Sequence, residues 1–289
     1  MPTQPNCPPV NIVADLAIIL AYREDTTRLE EALRAEGFTV EVQRATYDER
    51  ELTYSRTIRC LLNHQAAWRK AATRKLCTVI VESDFVPCVG FGAAPAPFAP
   101  ERHGPLAWAF LYGGGPRIIR AHADGTLEGH AACPVAVLLS PGAAPLLVRY
   151  GDEELARCDR TAHSMWDTNF QWWVMGWGGH CFMPRRHYGE HGGIVNPEHG
   201  VARIGWASRF PFLMRLPAFN NHHAECLLGP LRFRPPYAGG SWVSFAFTRL
   251  IARLIGWARV LTGRVAMPAK ESTPREHWRA YATAFTRLL

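Results

Sequence analysis

The sequence predicts an α/β domain with a mostly parallel sheet and flanking helices, followed by a basic, mainly helical C-terminal extension. Three observations carry this. A wholly apolar run of strand length occurs at residues 16–21 and a buried-strand candidate at 77–81, amphipathic helical segments separate the predicted strands, and the positive charge collects in the last third of the chain.

Residues 16–21 (LAIILA) are the kind of run that a strand buried on both faces requires. Asp25 or Thr26 then caps a helix over 27–36, in which Leu29 and Leu33 share a face and Gly37 supplies the stop. Residues 38–43 (FTVEVQ) alternate as a second strand, which completes a β-α-β opening. A helix over 54–72 carries Ile58, Leu61, Leu62, Ala66 and Trp68. The third strand, 77–81 (CTVIV), runs directly into Glu82-Ser83-Asp84. Residues 90–105, rich in Gly, Pro and Ala, read as loop. The Gly113-Gly114-Gly115 run lacks the P-loop and GxGxxG patterns and reads as a turn. Strands are expected at 108–112 and 135–139, and a short helix at 141–150. Residues 161–200 are dense in Trp, His and Gly, show little periodicity and read as a site-forming loop region. A helix over 242–265, closed by Pro268, and another over 274–289 end the chain.

Composition narrows the class. With 289 residues, 48% of them hydrophobic and 20% charged, the chain has ordinary globular composition, which excludes disordered, collagen-like and mucin-like readings. Eight scattered cysteines without a CxxC pair favour a reducing compartment over a disulfide scaffold. The segment MPTQPNCPPVN has no basic, then apolar, signal-peptide pattern, and no run reaches membrane-spanning length. The expected location is therefore cytoplasmic. Residues 200–289 hold 13 of the 32 Lys+Arg but only 3 of the 25 Asp+Glu, so the net +7 is confined to that third.

The acidic pair Glu82 and Asp84 closes a buried strand at positions i and i+2, so both carboxylates project from the carboxyl edge of the sheet, where open α/β sheets bind ligands. Two hard oxygen ligands there suit Mg²⁺ or Mn²⁺ bridging a diphosphate. Acidic residues that merely cap a strand are the plainer alternative.

Upstream stands Cys60-Leu61-Leu62-Asn63-His64-Gln65-Ala66-Ala67-Trp68. Together with the acidic strand end, it resembles the bacterial lipooligosaccharide-type glycosyltransferases of family twenty-five, whose pattern is Cys-x-Leu-Ser-His-x-x-x-Trp and then an apolar strand ending Glu-Asp-Asp. The opening AIILAYREDTTRLEEAL, the segment VAVLLSPGAAPLL and Ser164-Met165-Trp166-Asp167 are similar to further family segments. The resemblance covers residues 16–200. Ser83 stands where the family has its middle aspartate, Asn63 where it has serine, and Thr57 where a glutamate is common, so a metal site rests on Glu82 and Asp84.

The resemblance implies a GT-A fold over residues 1–205 as the nucleotide-sugar-binding domain, with 206–289 as the basic helical region. It implies metal-dependent sugar transfer with inversion, from a nucleotide-diphosphate donor such as a UDP-sugar to a glycan or lipid-linked acceptor, in lipopolysaccharide or surface-polysaccharide biosynthesis. The cofactor would be Mn²⁺ or Mg²⁺ on Glu82 and Asp84. His191 is a third candidate ligand. Tyr22, Arg23, Arg28, His64 and Ser83 are candidate donor contacts: Tyr22 for the base, the arginines for phosphates, and His64 either there or hydrogen-bonded behind the acidic strand. Asp167 by its place in the family pattern, or Glu190, is the candidate base for the acceptor hydroxyl. Arg185 or Arg186 is a further phosphate candidate.

Two other readings of the residues stand beside this one. His187, His191 and His199, or His222, His223 and Cys226, are candidate zinc ligands, though neither set has CxxC or HExxH spacing. Residues 242–265 place Arg249, Arg253, Arg259 and Arg264 among Phe, Leu, Ile and Trp, the composition of a helix lying at an anionic membrane surface. A helix packed on the main domain is the alternative, and a retired adaptor that kept the fold is the corresponding non-enzymatic reading. No nucleic-acid module is recognisable, so no nucleic-acid partner is expected.

Overall fold

A computed structural model describes residues 7–192, 226–235, 241–266 and 273–287. A single helical turn, α1 (Val10–Val13), precedes β1 (Leu16–Ala21), α2 (Thr27–Ala35), β2 (Thr39–Arg44), α3 (Arg56–Ala72) and β3 (Thr78–Glu82). A three-residue strand β4 (Phe85–Pro87) and a short helix α4 (Pro100–His103) lead into a long hairpin of β5 (Ala107–Ala121) and β6 (Leu127–Leu139). Then come α5 (Ala144–Arg157), α6 (Trp166–Gly176), β7 (His180–Met183) and β8 (Gly189–His191), and after them α7 (Trp242–Leu261) and α8 (Pro274–Thr286).

Six strands form one sheet in the order β2-β1-β3-β6-β5-β7. Three of its five neighbouring pairs, β2 with β1, β1 with β3 and β5 with β7, are parallel, and β6 runs against both of its neighbours in that order. Strand β1 is buried at all six positions, and its alternation serves two cores. Ala17 and Ile19 pack with Leu29 and Leu33 of α2, whereas Leu16, Ile18 and Leu20 pack with Ile58, Leu61 and Trp68 of α3. Helices α5 and α6 share that second layer, where Trp68, Trp166 and Phe170 are in ring contact.

Local chemistry sets the helix starts. Asp25 Oδ1 accepts from the Thr27 amide at 3.0 Å and from its hydroxyl at 2.6 Å, so Asp25 rather than Thr26 supplies the side-chain bond at the start of α2. Ser55 caps α3 by accepting from the Ile58 amide.

The structure differs from the sequence expectation in several places, among them the helix α4 inside the expected loop 90–105. The strands expected at 108–112 and 135–139 are parts of strands of 15 and 13 residues, because pairing between β5 and β6 carries Gly-, Arg- and His-containing segments into the sheet. The Gly113–115 run is therefore inside β5, not in a turn: a Cβ at Gly113 would lie 2.5 Å from Ala131 Cβ, so the close approach of the strands requires glycine. The helix expected at 141–150 begins at Ala144 and continues to Arg157. The stretch 161–200 contains the helix α6 and the strands β7 and β8.

The C-terminal helices join the same body. α8 packs on β5, Ile118 donates its amide to Val265 O at 2.7 Å, and Ile118, Leu127, Met183, Ala280 and Ala284 share a small apolar core. The expected boundary near residue 205 and the closing Pro268 lie outside the described residues. Among the described residues, no helix is long and apolar enough to cross a membrane.

Candidate active site

The order β2-β1-β3 makes the chain leave β1 for one side of the sheet and return to β3 on the other, which opens a crevice at the carboxyl ends of β1 and β3. In that register Leu20 stands opposite Glu82, and the Ser83 amide donates to Leu20 O at 2.9 Å. Asp84 follows, only 4% exposed.

A second, two-stranded pairing brings in a residue from far along the chain. β4 and β8 are antiparallel with Phe85 opposite His191. Gly189 permits it, since a Cβ there would lie 2.4 Å from the Phe85 ring and 2.5 Å from Val86 O. The Gly192 amide donates to Asp84 O at 2.5 Å, and His191 Nε2 lies 2.7 Å from Asp84 Oδ2. Glu82, Asp84 and His191 thus each offer a ligand atom within 4.8 Å of the others. Asp84 Oδ1 is buried without a hydrogen-bond partner. Such an oxygen costs about 1–3 kcal/mol or more when nothing meets it, and a cation is a natural partner. Burial opposes charge on His191, but the Asp84 carboxylate beside it, with Glu82 and Glu190 further off, outweighs burial and raises its pKa to about 9.

Glu82 is also the meeting point of a second cluster. Cys60 and His64, one helical turn apart on α3, bring Sγ and Nε2 to 3.9 and 3.0 Å of Glu82 Oε1. His64 is fully buried between the rings of Trp68 and Trp166, behind the acidic strand end. A cavity of about 30 Å³ beside this cluster is lined by Tyr22, Asn63, His64 and Ser83. A larger cleft of about 540 Å³ is lined by Arg28, Ser83, Asp84, Phe233 and Arg234. Its volume is that of a small-molecule site.

The remaining expected residues divide. Arg28 faces the large cleft, whereas the Arg23 guanidinium lies 4.6 Å over the Tyr22 ring, which also meets Tyr47 at 5.3 Å. Asp167 lies in the first turn of α6, where burial, then the charge of Glu82, pushes its carboxyl above the usual range against the opposing Thr168 hydroxyl. Glu190, expected as an alternative base, is fully buried and held by Arg249 Nη1 of α7 at 2.6 Å. It alternates with His191 on β8 and is committed to an ion pair, so it is not placed to take a proton from an acceptor. Arg185 donates to Thr286 on α8 at 2.5 Å and so fastens that helix. His187 is buried against Tyr112 and Arg287, away from the contact that His191 makes with Asp84. His199, His222 and His223 lie outside the described residues.

Two residues at the site carried no signal in the sequence. Cys133 has φ 58°, the left-handed region that a non-glycine residue rarely adopts, in a stretch where the β5–β6 register slips. Desolvation, and then the charges of Asp167, Glu82 and Asp84, push its thiol pKa up. Arg234 reaches the cleft from a segment more than a hundred residues beyond the acidic strand, over the ring of Trp242 at 4.2 Å. No protein-family model matches the chain, and no curated protein matches it either.

Proposed function

We propose that this chain is a metal-dependent glycosyltransferase of GT-A type, transferring a sugar from a nucleotide-diphosphate donor to a glycan acceptor in surface-polysaccharide synthesis. The observation that supports this most directly is the buried Asp84 carboxylate oxygen without a hydrogen-bond partner, at a parallel-strand switch point and bordering a 540 Å³ cleft. The donor set fits a divalent cation: two carboxylates from Glu82 and Asp84, and an imidazole from His191. The nitrogen ligand favours Mn²⁺ over Mg²⁺. When bound, the cation supplies positive charge to the diphosphate leaving group.

The chain's own residues supply the rest. Arg28 and Arg234 line the cleft and hold phosphate oxygens by charge-assisted hydrogen bonds. Glu82, Asp84 and His191 would hold the cation, His191 as the neutral imidazole. Asp167 accepts the acceptor hydroxyl proton, and its raised pKa makes it a stronger base than an ordinary carboxylate. Glu82 meets His64 Nε2 through Oε1 at 3.0 Å, which fixes the carboxylate at the strand end.

A thermal-shift panel of nucleotide sugars with and without Mn²⁺ tests this reading. A stabilisation on the order of 5 °C is expected only when both are present, and it should vanish in Asp84→Ala. Absence of any shift with metal, or an equal shift without it, would overturn the proposal.

A further inference from the structure

Helix α7 turns its small residues inward and its large ones outward. Thr248, Ala252 and Gly256 are buried, whereas Val243, Phe247, Leu250, Leu254 and Leu261 are each more than half exposed. At 100° per residue these five fall within an arc of about 60° opposite the buried trio, along about 27 Å of helix. A surface helix in water carries the opposite pattern, and an apolar stripe of this length marks an interaction surface. The neighbouring α8, in contact through the rings of Trp257 and Phe285 at 5.1 Å, exposes Trp278, Tyr281 and Phe285 as well.

Charge identifies what covers the stripe. α7 has no acidic residue; its Arg249 is paired with Glu190 but Arg253 is exposed, and α8 adds the exposed Arg275 and Arg279, within a third of the chain that holds 13 basic residues and 3 acidic ones. Two copies meeting face to face would set these positive regions against each other, whereas an anionic lipid surface attracts them. The helix is not long and apolar enough to cross a bilayer, and its aromatic and arginine content is that of a helix lying in the headgroup region.

We infer that the outward face of α7 docks in the plane of an anionic lipid bilayer. The inward side of the helix is tied by Arg249 to Glu190, the neighbour of His191, so docking holds the acidic site at a fixed distance from the lipid surface. The inference stands apart from the sugar-transfer reading and does not need it.

Vesicle flotation of the full chain tests it, with phosphatidylcholine vesicles compared with mixed phosphatidylcholine and phosphatidylglycerol vesicles. The chain is expected to float with the anionic vesicles and to be released several-fold by added salt. The double variant Phe247→Glu, Leu250→Glu should bind about tenfold more weakly or worse, with an unchanged melting temperature because both positions are exposed. The inference is overturned if the chain stays with the protein fraction, or if the double variant floats as the unaltered chain does. It is equally overturned if sedimentation velocity shows a dimer that the double variant dissolves while neither vesicle is bound.

Discussion

The imidazole of His191 lies 2.7 Å from Asp84 Oδ2, and the strand that carries it is registered against the residues that follow Asp84. One oxygen of Asp84 is thereby occupied, and the other is left buried and unmet. Glu82, Asp84 and His191 form a group that could hold a metal ion.

Asp84→Asn keeps the shape of the side chain and removes its charge. Mn²⁺ affinity, read by calorimetry, should fall by about a hundredfold or more, since a carboxylate that contacts the ion directly contributes more than the 10–100-fold typical of supporting residues. Unchanged Mn²⁺ affinity in this variant would place the cation elsewhere.

If Asp167 is the proposed base, Asp167→Asn should lower kcat by about 10²–10⁴-fold while leaving Mn²⁺-dependent donor binding as it was. Glu190→Gln should show a different pattern, loss of stability with little specific loss of turnover in the fraction that remains folded. A reversal of the two patterns would move the base to Glu190.

His130 gives the fold a defined acid sensitivity. Burial, and then the charge of Arg117, lower its pKa to about 4, and its Nε2 is buried without a hydrogen-bond partner. Above pH 6.5 both folded and unfolded chains hold it neutral. Between 6.5 and about 4 the unfolded chain takes up a proton that the folded one does not, so stability falls as pH falls, by at most about 3 kcal/mol. Denaturant titrations at several pH values should show a shallower loss in His130→Asn; an identical slope would mean that other groups dominate.

The Glu190–Arg249 pair is a buried tie between β8 and α7. Arg249→Met leaves a fully buried carboxylate without the guanidinium and should cost about 3–5 kcal/mol, whereas combining it with Glu190→Leu should recover much of that loss. Urea unfolding of the two variants makes the comparison, and a double variant no better than the single would show that the pair is not coupled.

Much of the scaffold was legible because local pattern and final environment agree. Residues 16–21 are apolar without interruption and 77–81 nearly so, as a strand covered on both faces requires, and Glu82 and Asp84 stand out as charges at the end of such a run. The outer halves of β5 and β6 were illegible because Gly113, Arg117 and His130 have weak strand preference on their own and are held by the opposing strand. Cys133 gave no warning either, since left-handed backbone at a cysteine follows from the register slip around it and not from the residue type. Glu190 looked like a reactive carboxylate in a Gly- and His-rich segment. Its counter-ion lies on α7, and no local spacing relates the two.

The tie between Glu190 and Arg249 also sets an order of events as the chain is made. The strands β2, β1, β3 and β6 have all been synthesised once residue 139 has left the ribosome, and β8 once residue 191 has. The guanidinium that neutralises Glu190 arrives 58 residues later, roughly 3–12 s at ordinary translation rates. Until then Glu190 lacks the Arg249 guanidinium. Every strand of the sheet is therefore synthesised before the counter-ion that Glu190 meets in the finished fold.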